Sequence, residues 1–115
     1  SGKMTRKPFP KNCRDGAREK LEVIHSDVVG PMKYNTPRGR RYFVTFIDEY
    51  TRYTRIYFMK QKSEVLEHFK NYKNEVENYT GKKVKFLQSD NGTEYVNTEF
   101  DKYLKQFGIQ RRLSA

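Results

Sequence analysis

RYFVTFIDEYTRYTRIYFM, Arg41 to Met59, holds two alternating runs on either side of a short polar connection, and its reading sets the fold. In Arg41 to Asp48, Tyr42, Val44 and Phe46 alternate with Phe43, Thr45 and Ile47, the period of a strand, in residue types that suit a pleated surface. Glu49 to Arg52 make the connection. From Tyr53 to Met59 the alternation resumes, with Ile56 and Phe58 opposite Arg55, Tyr57 and Met59, so the stretch reads as two antiparallel strands.

Upstream, LEVIHSDVV (Leu21 to Val29) is β-branched and mostly apolar and is stopped by Gly30-Pro31, which suits a strand buried on both faces with Asp27 near its C-terminal end. A turn-rich stretch, Asn35 to Gly39, joins it to the pair, giving a three-stranded antiparallel meander. Downstream, Ser63 is placed to cap a helix with Glu64 in its first turn; Val65, Leu66, Phe69, Tyr72, Val76 and Tyr79 form its apolar stripe, and Gly81 ends it. His68 falls on the polar side and is expected in solvent. Val84 to Ser89 reads as a short strand running into Asp90, with Asn91-Gly92 as the turn after it. Thr98 then caps a helix bearing Phe100, Tyr103, Leu104 and Phe107, and after Gly108 the residues Ile109, Arg111 and Leu113 suggest a last strand. The order βββαβαβ predicts an α/β fold: a mixed sheet of about five strands, three antiparallel and then parallel members reached by helical crossovers, with flanking helices.

At 115 residues the chain has room for one core. Residues 1–20 read as a basic arm or linker, with seven Lys and Arg and two prolines but no strand or helix period, and residues 21–115 as the folded part. The net charge of +10 and pI near 9.7 make a polyanion the first partner to consider, nucleic acid before membrane. No apolar run approaches the roughly 18 to 20 residues of a membrane span, and no secretory leader is visible, so an intracellular protein is expected. Cys13 is alone, which rules out an internal disulfide and a cysteine-rich zinc site within this sequence.

Asp27 and Asp90 each stand at the end of a strand, and the two converge if those strands are neighbours. Two carboxylates held close repel unless one takes a proton or both share a cation, and hard oxygen ligands favour Mg²⁺ or Mn²⁺. Such a pair serves phosphoryl transfer, in which a third carboxylate usually holds a second ion. Taken singly, Asp27 reads equally as a strand-end residue bonding a loop, and Ser89 to Gly92 as a plain turn. Asp48 reads as a turn residue or an ion-pair partner of Arg52 or Arg55, and His25 as a satisfied buried histidine.

His25-Ser26-Asp27 followed by Gly30-Pro31, Phe46 to Tyr53 (FIDEYTRY) and Ser89 to Tyr95 (SDNGTEY) together resemble the copia-type retrotransposon integrase core, of the retroviral integrase superfamily. The leading Gly2 to Phe9 (GKMTRKPF) resembles the segment that follows the cysteine pair of the zinc-binding region in such polyproteins. The resemblance implies an RNase H-like fold, truncated at its C-terminus, in a Pol polyprotein. It also implies that Asp27 and Asp90 are catalytic ligands of Mg²⁺ or Mn²⁺ in DNA end processing and strand transfer. The glutamate that completes the triad falls past Ala115, so the 115 residues are expected to be inactive by themselves. Glu94 and Glu99 follow Asp90 too closely to take its place.

Asn91, Gly92 and Thr93 form a polar loop beside Asp90 suited to DNA phosphates. Lys82, Lys83, Arg38, Arg40 and Arg41 are further candidates for nucleic-acid binding, with Lys85 and Arg111-Arg112 beside them. The expected partners are the element's DNA ends, target DNA and further copies of the enzyme, in the nucleus after passage through a cytoplasmic particle. The alternative is a non-catalytic nucleic-acid-binding remnant of a decayed or domesticated integrase.

Overall fold

The computed structural model describes residues 16–33 and 39–113; most of the basic arm and the turn carrying Arg38 lie outside them. Three strands come first: β1 (Val23–Val29), β2 (Tyr42–Asp48) and β3 (Thr54–Met59). Helix α1 (Val65–Thr80), β4 (Phe86–Ser89), α2 (Thr98–Gln106) and β5 (Gln110–Leu113) follow. The strands lie in the order β3-β2-β1-β4-β5. β2 pairs antiparallel with both β1 and β3, while β4 pairs parallel with both β1 and β5, which is the mixed sheet the sequence predicts.

Register decides which side chains share a face. Ser26 lies opposite Phe46, Val28 opposite Val44, and Val44 opposite Tyr57, so Ile24, Val44, Phe46 and Tyr57 point to one side. Both helices pack there. The Phe46 ring lies 5.7 Å from Phe69 and 5.3 Å from Tyr72 of α1, and Phe69 lies 5.8 Å from Phe100 of α2. Each of these aromatics is fully buried, worth about 1.5–3 kcal/mol relative to leaving it in water.

The other face bears Phe43, Ile47, Ile56, Phe58 and Phe86, and no helix among the described residues covers it. Ile56 is 52% and Phe58 46% exposed. The expectation that β1 is buried on both faces therefore fails in its second half. Val23 and Ile24 are buried but Val29 is exposed, because both helices sit on the Phe46 side.

Helix boundaries depart from the sequence reading in small, explicable ways. A 3-10 turn, Lys62–Glu64, precedes α1, and the Glu64 carboxylate accepts the amides of Lys60 at 2.9 Å and Gln61 at 3.0 Å. Gln61 is thus the cap. Ser63 instead donates its hydroxyl to Gln61 Oε1, and Asn97 rather than Thr98 caps α2, accepting the Phe100 amide at 2.9 Å. Gly81 closes α1 at φ 76°, the left-handed conformation that glycine adopts at least cost. Tyr79 is exposed, because it flanks a cavity rather than the sheet. His68 is not in solvent. Its ring stacks on Tyr57 at 4.8 Å, and both ring nitrogens are buried without a hydrogen-bond partner among the described residues.

Lys73 is the one buried lysine among the described residues. Its ammonium meets Glu77 at 3.0 Å and stands 3.8 Å from the centre of the Phe107 ring, while Glu77 Oε2 accepts the Val84 amide at 2.8 Å. One ion pair thereby joins α1 to the end of α2 and to the approach of β4.

The one-sided core makes a direct stability test. Phe46→Ala should cost about 3–5 kcal/mol by urea unfolding, whereas Phe58→Ala on the open face should cost under about 1 kcal/mol.

Candidate active site

The site grows from the parallel pairing of β1 and β4. Val23 lies opposite Phe86, Ile24 opposite Leu87 and His25 opposite Gln88. Continued two residues further, one past the end of β4 at Ser89, that register would bring Asp27 level with Asp90, on neighbouring strands that run about 4.8 Å apart. Both aspartates are exposed at the same end of the sheet.

Beneath them lies Tyr95, fully buried, with its hydroxyl 2.8 Å from Ser26 Oγ. Burial pushes the Tyr95 phenol well above its usual range, against the pull of the Ser26 hydrogen bond, and the negative charges of Asp27, Asp90 and Glu94 push it further. The charges of three carboxylates therefore add to burial in keeping this hydroxyl protonated. Asp90 Oδ1 accepts the Gly92 amide at 2.9 Å, and Gly92 O accepts the amides of Tyr95 and Val96, at 3.0 and 2.9 Å. The loop of Asn91, Gly92 and Thr93 is folded on itself above the buried tyrosine.

Exposed carboxylates abreast of each other suit a hard divalent cation such as Mg²⁺ or Mn²⁺, which would relieve their repulsion. Among the described residues no group of three His, Cys, Asp or Glu is arranged to hold a metal, so the pair falls short of a full set of protein ligands. Glu94 turns its carboxylate over Gly92, where an added Cβ would stand 2.6 Å from Glu94 Oε1. Glu99 is exposed in the first turn of α2.

Arg40 and Arg41 precede β2 at the same end of the sheet as the C-terminus of β1, since Phe43 pairs with Val29. Gly30 sits against them: its φ is 136°, and a Cβ there would lie 2.7 Å from Arg41 O. Only glycine fits both demands. Lys82 and Lys83 precede β4 and so stand at the opposite end of the sheet from Asp90. Lys82 and Lys85 meet the carboxylate of Glu19 at 3.3 and 2.7 Å. Arg111 donates to Tyr95 O at 2.7 Å and pairs with Asp101, which engages it in holding the loop.

Asp48 is buried, far from Asp27 along β1, opposite Ile24. Its carboxylate accepts the amides of Leu21 and Tyr50 and the Thr51 hydroxyl, a turn role, while Arg55 pairs with Glu75. His25 is half-buried on the open face and bonded to Glu49. Burial alone would raise the Glu49 carboxyl, but the hydrogen bonds from His25 and the Ala17 amide, with the charges of His25 and Arg112, outweigh it and hold Glu49 below its usual value.

Sequence reasoning passed over Ser26, Tyr95 and Glu49, although each stands inside a quoted motif. Ser26 lies on β1 while Glu49 and Tyr95 lie in turns, and the pairs they make span 24 and 69 residues of sequence, so no local signal marked them.

The family profile described as Integrase core domain matches residues 17–115. The Retrovirus-related Pol polyprotein from transposon TNT 1-94 of Nicotiana tabacum is 43% identical over 90 residues, 78% of this chain and 7% of that polyprotein. The corresponding polyprotein of transposon RE1 of Arabidopsis thaliana is 37% identical over 116 residues, 97% of this chain and again 7% of its own length. The chain thus spans a small part of the curated relatives it matches. Among solved structures, the HTLV-2 integrase catalytic core domain in complex with magnesium superposes with a TM-score of 0.60 at 14% identity, over 82% of this chain and 60% of that one, a likeness of fold.

Because the folded Glu49 carboxyl titrates below the unfolded one, its stabilisation is complete at neutral pH and is lost as the pH falls from about 4.3, the unperturbed value, through the folded value. Urea midpoints of Glu49→Gln and the parent should differ at pH 7 and converge in acid. A gap that widens on acidification contradicts the assignment.

Proposed function

The chain belongs to the integrase core domain family, and from that premise we propose that it is part of the catalytic core of a retroelement enzyme that processes DNA ends and joins them to target DNA. The observation that supports this reading is the parallel β1–β4 register, whose continuation past His25 and Gln88 would bring Asp27 level with Asp90. In this reading Asp27 and Asp90 hold Mg²⁺ or Mn²⁺, which when bound lowers the pKa of an attacking water or 3′-hydroxyl and offsets charge on the phosphate. The HTLV-2 integrase catalytic core domain, solved in complex with magnesium, supports that choice.

The residues of this chain do the rest. Ser26 and Tyr95 hold the loop after β4 to the end of β1, so the two carboxylates keep their spacing as charge builds up. Tyr95 remains neutral and adds no fourth negative charge beside the phosphate. Asn91, Gly92 and Thr93, adjoining Asp90, contact phosphates near the reacting bond, Arg40 and Arg41 attract the duplex at the same end, and Arg38 adds its charge to that attraction. Lys82 and Lys83 meet DNA at the far end of the sheet. Residues 1–20 act as a basic linker after a zinc-binding region, and 21–115 as part of the core. A further carboxylate from the parent enzyme completes the site, and the parent works as an oligomer in the nucleus. The reading as a non-catalytic remnant has no observation in its favour.

The test is strand transfer by the parent polyprotein's integrase with Mn²⁺. Asp27→Asn and Asp90→Asn should each lower the rate by at least about 10²-fold with DNA binding retained, on the scale of losing one partner of a unit that works together. Parental activity in either variant removes that residue from the metal site.

A further inference from the structure

At the end of the sheet away from Asp27 and Asp90, a cavity of about 570 Å³ opens between the last turns of α1 and the β2–β3 connection, within the size range of ligand pockets. Leu21 and Val76 form its buried floor, Tyr53 and Tyr79 its walls, and Lys20 and Arg52 lie on its rim. Large aromatics are left in water there. Tyr79 is 91% and Tyr53 44% exposed.

The backbone is unusual at the same place. Among the described residues only Leu21 (φ 67°) and Arg52 (φ 69°) are non-glycine residues in the left-handed region, and both line this cavity. Asp48 holds them both: its Oδ1 accepts the Leu21 amide at 3.1 Å and its main-chain oxygen the Arg52 amide at 2.7 Å. Such conformations persist only where the surroundings over-determine them, and they gather at binding sites. A glycine would meet the turn's backbone demand at Arg52 with less strain, whereas arginine places a cation on the rim.

Charge then names the occupant. The acids at the cavity are already engaged, Asp48 by the turn and Glu75 by Arg55 and the Tyr53 hydroxyl. Lys20 and Arg52 have no ion pair or hydrogen bond from their side chains among the described residues. Two uncompensated cations stand over an apolar hollow.

We propose that this cavity docks an acidic peptide segment of a partner protein, one apolar side chain entering between Tyr53 and Tyr79 while flanking carboxylates pair with Lys20 and Arg52. Tyrosine and arginine dominate the energetics of such contacts. A nucleic-acid strand fits less well, because among the described residues Lys20 and Arg52 are the two cations lining the hollow, too few to follow a continuous row of phosphates. The inference is independent of the roles given to Asp27 and Asp90.

The probe is a fluorescein-labelled hexapeptide with one phenylalanine flanked by glutamates, titrated into the 115-residue chain beside two controls, its lysine counterpart and a labelled single-stranded oligonucleotide. The acidic peptide should bind saturably, the lysine peptide should not, and Tyr79→Ala and Arg52→Glu should each weaken binding by at least about tenfold. Arg52→Gly separates binding from folding: it suits the left-handed backbone, so the unfolding midpoint should rise while the peptide is lost. The proposal is overturned by absent saturable binding, by unchanged affinity in both Tyr79→Ala and Arg52→Glu, or by an oligonucleotide that binds in the peptide's stead and is lost in Arg52→Glu.

Discussion

Parallel pairing of β1 with β4 is the constraint on which the rest of the molecule depends. Those strands are distant in sequence, and α1 carries the chain from the edge of the meander back to the middle of the sheet. Had β4 joined beside β3, two strands, β3 and β2, would stand between Asp90 and Asp27. The position beside β1 is sealed from several sides: the Phe86 amide reaches Glu22 O at 2.8 Å, Glu77 takes the Val84 amide, and the Ser26 to Tyr95 hydrogen bond closes the other end. Each bond satisfies a polar group that burial would otherwise penalise.

The same pairing creates an electrostatic imbalance at one end of the sheet. Asp27, Asp90 and Glu94 act together on a buried phenol, within a chain of net charge +10. A local cluster of negative charge in a basic protein is what the proposed site requires, acids to bind a cation and a surrounding field to draw a polyanion. The open apolar face and the far cavity are different in kind, being set by where the two helices pack and where they stop.

Much of this was legible in the sequence because local patterning and tertiary need agree. The alternation from Tyr42 to Met59, the apolar stripe of Val65, Phe69, Tyr72 and Val76, and the terminators Gly81 and Gly108 each correspond to an element or its end. Asp27 and Asp90 were conspicuous as strand-end acids. What escaped reading is what depends on partners far along the chain. Periodicity places Tyr79 and His68 on a helix face, but only the β2–β3 connection and Tyr57 decide which is covered. Ser26 meeting Tyr95, His25 meeting Glu49, and Lys73 buried against Glu77 and Phe107 are long-range or context-set pairings that no local pattern encodes. Lys82 and Lys83 looked close to Asp90 in sequence, yet an intervening strand carries them to the other end of the sheet.

The central claim is that Asp27 and Asp90 grip one divalent ion together. Paramagnetic broadening of amide signals in the ¹⁵N-labelled chain on titration with Mn²⁺ tests it most directly. The account predicts that the signals of Asp27, Asp90 and Gly92 fade together at the lowest Mn²⁺ and that Asp27→Asn spares all of them. Broadening centred elsewhere, or confined to one of the two aspartates, would contradict it.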